Sequence, residues 1–158
     1  MATFRVLAVT VALLIPAASF AQGHYKSGTD LTGTWAITAT IPQGAPVCPG
    51  TADCVYPALA TATSDGVLLQ TAPISNTLTG HGSWKRIGPR DFKARTLYFR
   101  VDPATGAFVG TSVSTIEVTL APGGLTAEGS FSAVILDVDD NVIASYTGTM
   151  AARRLVVD

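Results

Sequence analysis

Few side chains in this sequence are of a type and spacing that suits chemistry. His81 lies in Gly80-His81-Gly82-Ser83-Trp84-Lys85-Arg86, the most distinctive short stretch of the chain. An imidazole titrates near neutral pH, so beside Trp84 it is a candidate general base or ligand contact. A strand-end histidine bonded to backbone is the plainer account of the same residue. Tyr98, Arg100 and Tyr146 add two phenols and a guanidinium, groups that orient a polar ligand. No Gly-x-Ser-x-Gly elbow, His-Glu-x-x-His pair or phosphate-binding glycine loop occurs. The familiar hydrolase, zinc-protease and nucleotide-binding chemistries therefore have no residues to rest on, and no catalytic residue or cofactor is assigned.

Lys85, Arg86, Arg90, Lys93, Arg95 and Arg100 make up six of the ten basic residues. Such a cluster could meet an anionic ligand, but on alternating strands most of it reads as a solvated wall. Lys93 and Arg95 share parity with Leu97, Phe99 and Val101, whereas Arg100 shares it with Phe92 and Tyr98. That mixture predicts a bulge midway, with Arg100 the cation best placed to point inward. With a formal net charge of −1, nucleic acid is not an expected partner. Asp139-Asp140-Asn141 lacks the spaced oxygens and distal glutamate of a calcium loop and reads as a turn.

A length of 158 residues allows one ordinary domain. The 47 % hydrophobic and 13 % charged content argues against a disordered acidic chain. Part of that apolar content lies in residues 1–21, which read as a signal peptide. Arg5 precedes the apolar run Val6–Ile15, Pro16 ends it, and Ser19-Phe20-Ala21 offers a cleavage site. A run of about ten residues is short of the roughly 20 that span a bilayer. The expected location is secreted or periplasmic, with no membrane span once the leader is cleaved. Residues 22–30 read as a flexible tail and 31–158 as the folded domain.

Export decides how Cys48 and Cys54 are read. They are the only cysteines, with five residues between them. In an oxidising compartment such a pair most simply forms a disulfide. A metal site would need two further ligands, and His24 and His81 are distant in sequence, so no metal is expected.

The elements that must position these residues are strands. Beyond Asp30 a period of two dominates, and short turns punctuate it. Leu31–Ile41, Gly66–Thr71, Gly80–Ile87, Asp91–Val101, Ala107–Leu120, Leu125–Val138 and Val142–Val157 read as strands. Pro42–Thr61, with the cysteines and four prolines, reads as a long loop. Seven or eight strands joined by short turns make an antiparallel meander. Closure into a barrel of about eight strands removes its exposed edges, so the fold class is all-β. Phe92, Tyr98, Phe108, Ile116, Val118, Phe131, Ile135, Tyr146 and Met150 are spaced to project into one enclosure. Ala94, Gly110, Ser112, Ser114, Ala133, Ala144 and Gly148 would leave room among them.

Leu31-Thr32-Gly33-Thr34-Trp35 resembles the Gly-x-Trp motif that opens the first strand of lipocalins and other calycins. In that superfamily the tryptophan packs across the closed end of the barrel against a last-strand arginine. The resemblance implies that Trp35 and Arg154, or Arg153, close the floor here. The glycine-rich meander also resembles the allene-oxide-cyclase-like barrels, a likeness of architecture only.

Three functions fit this reading. The leading one is an exported barrel that binds a small apolar or amphipathic molecule in its lumen, through Tyr98, Arg100, Tyr146, His81, Phe108 and Phe131. The second is a cofactor-independent cyclase or isomerase, marked by a Tyr, Arg or Glu117 buried in the cavity with a shifted pKa. The third is a packed structural or inhibitory module, with an exposed apolar loop around Val55, Tyr56 and Leu59. A cavity of several hundred cubic ångströms separates the first two from the third.

Overall fold

The computed structural model describes residues 29–73 and 77–156. The leader at 1–21, His24 and most of the 22–30 segment lie outside the described residues. Eight strands follow one another: β1 Gly33–Ile41, β2 Cys54–Ala62, β3 Val67–Thr71, β4 Gly80–Arg86, β5 Asp91–Val101, β6 Phe108–Leu120, β7 Thr126–Leu136 and β8 Val142–Arg154. Each pairs antiparallel with its neighbours in sequence, and β8 returns to β1 from Trp35↔Arg154 to Thr40↔Thr149. The fold is an all-β antiparallel meander closed into an eight-stranded barrel, an architecture compatible with the calycin fold.

Period-two alternation sets which side chains face in. On β5 the even residues Phe92, Ala94, Thr96 and Tyr98 are buried, while Leu97 and Phe99 are exposed. Acidic side chains brace two of the turns. The Asp102 carboxylate accepts bonds from the Ala104 and Thr105 amides, and Asp137 does the same for Asp139 and Asn141. Such Asx geometry needs no metal.

Three expectations are corrected. First, Pro42–Thr61 is not one loop, since Cys54–Ala62 forms β2. Its alanines carry little strand propensity, which hides the strand in the sequence. Pro57 is tolerated because β2 pairs with β1 there, whereas its pairing with β3 begins only at Leu59.

Second, the bulge lies at the end of β5, not midway. Pairing passes from Arg100↔Gly110 to Val101↔Phe108, leaving Val109 unmatched, and Gly110 takes φ 123°. The extra residue turns Phe108 outward, where it is half exposed and meets Phe99 edge-on at 5.9 Å. Phe108 is therefore absent from the enclosure.

Third, the inward glycines are sockets more than vacancies. A Cβ at Gly80 would overlap the Tyr98 ring, and one at Gly148 would overlap Phe131. The large rings occupy the space the small residues leave.

Candidate functional site

The barrel has a closed floor. The Arg154 guanidinium stacks over Trp35 with 4.4 Å from its carbon to the ring centroid. Its Nε donates to the Gly124 carbonyl at 2.9 Å, and its terminal nitrogens donate to the Thr32 and Asp30 carbonyls. The Trp35 indole N–H donates to the Leu31 carbonyl at 2.8 Å. Arg153, one residue earlier, alternates to the outer wall and is exposed. Burial alone would push the Asp30 carboxyl up. Hydrogen bonds from the Thr32 amide and hydroxyl, with the charges of Arg154 and Arg86, hold it below the ordinary aspartate value.

Above the floor the described residues enclose two small cavities. The lower one, about 40 Å³, exposes only apolar atoms, and its lining includes Trp35, Leu68, Ala94 and Val118. The upper one, about 50 Å³, is lined by Tyr98, Tyr146, Ser112, Ser114, Gln70 and Thr77 among others. Ile37, Gln70, Ile116 and Met150 border both. A water needs roughly 10–15 Å³ of such space, so each cavity as it stands has room for only a few. Neither of these two cavities by itself reaches several hundred cubic ångströms. The rings of Tyr98 and Phe131 sit against Gly80 and Gly148 and occupy part of the interior.

The upper cavity is a place of hydrogen-bond donors. Burial pushes the Tyr98 phenol far above the ordinary tyrosine value, against a hydrogen bond with Thr96 that pulls it down. Tyr146 is pushed up by burial and by Tyr56, while Arg100 and a bond with Ser112 pull it down. Both phenols therefore keep their protons at neutral pH. Arg100 faces inward one step beyond Tyr98 on β5. Its Nε is buried and finds no hydrogen-bond partner among the described residues. Among the described residues, no carboxylate or imidazole lines the cavity.

The structure thus brings Tyr98, Tyr146 and Phe131 to one cavity, with Phe131 edge-on to Tyr146 at 6.3 Å, while Arg100 is not among its lining residues and acts on Tyr146 electrostatically. It does not bring His81 or Phe108 there. His81 is exposed on the outer wall, in a cross-strand row with Leu69, Leu97, Val113 and Val134. Glu117 also faces out and pairs with Lys93 at 2.8 Å. Sequence reasoning missed Gln70 and Thr96, and it placed Tyr56 on an exposed loop, whereas Tyr56 is half-buried on a strand. Tyr56 belongs to β2, turns inward, and donates to the Val47 carbonyl at 3.0 Å. Its alternation with exposed Val55 and Leu59 was the available signal.

The Cys48–Cys54 disulfide closes the hairpin-like segment before β2, with Cys48 fully buried. This bond is consistent with an extracytoplasmic location. On the outside, Ala36, Thr38 and Ala151 help to floor an open trough of about 820 Å³, bordered by Pro57, Leu59 and Arg153. No helix among the described residues is long and apolar enough to cross a membrane. No group of three His, Cys, Asp or Glu side chains among them could hold a metal. No protein-family model matches the chain, and a search of curated proteins returned no match.

Proposed function

We propose that this protein is an exported barrel that binds one small amphipathic molecule along its axis. The observation that carries the reading is a pair of adjoining cavities, one with hydroxyl groups in its wall and one that exposes only apolar atoms, with Met150 among the four residues that border both. Methionine has three rotatable bonds and a soft thioether, so it can swing aside where a branched residue could not. Joined by that motion, the two spaces suit a slender ligand and exclude a bulky one. Donors without a base in the upper cavity favour holding a molecule over isomerising it.

The test is native mass spectrometry of the protein recovered from its exporting host. A retained small molecule, released on denaturation, is the expected result. Recovery of bare protein, together with an unchanged melting temperature across a panel of six- to ten-carbon amphiphiles, would sink the reading.

One observation favours a second reading, a packed module that acts through its outer wall. Val55 and Leu59 are 61 % and 52 % exposed on the strand that follows the disulfide, and Leu59 borders the open trough. Bare protein in the experiment above is the result this reading requires.

A further inference from the structure

The outer wall of β5, β6 and β7 carries an apolar face. Leu97, Val113 and Val134 are cross-strand neighbours in one row, and in the next row Phe99 and Leu136 flank Thr111. Phe108 extends the face toward the open end through its edge contact with Phe99. Both phenylalanines expose about half of their surface, and Leu97 is 40 % exposed. Together these side chains present roughly 400 Å² of apolar area, the size of patch that marks an interaction site on a soluble protein.

Charge around the face decides what covers it. Asp102, Asp137, Asp139 and Asp140 occupy the turns at its open end. Toward the floor, β4 and β5 carry Lys85, Lys93 and Arg95. Lys93 is taken by Glu117, whereas Arg95 is exposed and has no hydrogen bond or ion pair among the described residues. The three bonds that hold Asp102 in its turn all fall on Oδ1, and Oδ2 has no partner among the described residues. A second copy laid parallel would set carboxylates against carboxylates. Laid antiparallel, it sets each acidic end against the other's basic half.

We infer that this face is the two-fold interface of a homodimer, in which β5 of one copy lies antiparallel over β5 of the other and Asp102 meets the partner's Arg95. The spacing agrees. With the two-fold axis level with Tyr98, Leu97 lies opposite the partner's Phe99. Asp102 is four residues beyond that level and Arg95 three before it. At about 3.3 Å per residue the mismatch is about 3 Å, which a flexible arginine spans. Each copy supplies the same patch and both charges, so the contact is made twice. The apolar area is about half of the roughly 800 Å² that each partner of a standard interface buries, close to the apolar share of such interfaces. The dimer leaves the lumen untouched and is independent of what the barrel binds.

Sedimentation equilibrium of the purified, disulfide-bonded protein at micromolar to submillimolar concentrations tests the assignment. A mass of two chains is expected, with Phe99→Glu reducing it to one. Val55→Glu, on another part of the wall, should leave the dimer unchanged. Arg95→Asp and Asp102→Lys should each weaken self-association at least about tenfold. An equimolar mixture of those two variants should restore dimers, because opposite charges then meet at both contacts.

A monomer at every concentration would overturn the proposal, and flotation of that monomer with phosphatidylcholine vesicles would assign the face to a lipid surface instead. A dimer that survives Phe99→Glu, or is lost in Val55→Glu, would overturn it in favour of another wall. Dimers no stronger in the mixture than in each charge variant alone would overturn the Asp102–Arg95 contact. If Asp102→Lys does not fold, as judged by circular dichroism, Arg95→Asp decides: undiminished dimerisation would overturn that contact.

Discussion

Arg154 on the last strand stacks on Trp35 of the first, and the same guanidinium bonds carbonyls on both sides of the closure, at Asp30, Thr32 and Gly124. One side chain thus fastens the seam where the meander meets itself and also seals the floor. A charge buried this way is stabilising only while its partners remain in place.

Arg154→Ala should therefore cost about 3–5 kcal/mol, by removing several donor bonds and the contact over the indole at once. Arg154→Lys should recover only part of this, because an ammonium cannot fork to three carbonyls. Urea denaturation followed by tryptophan fluorescence measures both. A loss under about 1 kcal/mol for the alanine variant would show that the seam does not depend on this residue.

Glycine sockets lead to a second prediction. Gly80→Ala pushes a methyl group into the Tyr98 ring. Overpacking of this kind costs roughly 1–3 kcal/mol. The double variant Gly80→Ala with Tyr98→Leu should lose less than the two single changes added together. Additive losses in a double-mutant cycle would count against the socket.

Alkaline pH should destabilise the barrel through Tyr98. Burial raises this phenol above its unfolded value of 10.0. A raised acid contributes stability that is complete below the unfolded value and is lost as pH climbs past it. Unfolding free energy measured from pH 8 to 11 should fall at the upper end, and Tyr98→Phe should flatten that fall.

Acid works through the floor. The Asp30 carboxyl sits below its unfolded value of 3.8. Its contribution is present above that value and is lost as pH drops through and beneath it. Asp30→Asn should lower stability at neutral pH and make the acid limb shallower. Denaturation midpoints that differ from those of the unaltered protein by the same amount at pH 3 and pH 7 would contradict this.

Reduction of the disulfide should leave a folded barrel. Cys48 and Cys54 are six positions apart. In the chain-entropy model so small a ring contributes about 2 kcal/mol. The double variant Cys48→Ser with Cys54→Ser should keep its far-ultraviolet dichroism while the segment 42–53 gains hydrogen exchange. Global unfolding of the variant at room temperature would refute the assignment of a local role.

The sequence revealed most where alternation is strong. From Asp91 onward the strands match the expected ones within two or three residues, because Thr, Val and Phe alternate cleanly between Pro- and Gly-bearing turns. Arg100 and Tyr98 could be placed inward for the same reason. β2 was hidden, since alanine fits a strand or a loop and Pro57 argues against a strand except where one side is unpaired. His81 was harder still, because glycines on both sides leave no alternation from which to assign a face. Phe108 follows parity only up to the bulge, and a glycine at 110 signals a break without saying where the mismatch falls. The interior volume was illegible in principle. Whether a small residue opens a void or receives a ring depends on packing between strands far apart in sequence.

Because every strand pairs with its neighbours in the chain, only the β1–β8 ladder brings distant parts of the polypeptide together. Until β8 arrives, β1 carries an unpaired edge that can recruit another chain. Closing that gap is the largest loop closure in the molecule and the slowest class of contact to form. The interval between synthesis of Trp35 and docking of Arg154 is thus the period in which self-association competes with folding. A chaperone that shields the first strand during that interval would raise the yield of closed barrels without contacting the finished protein.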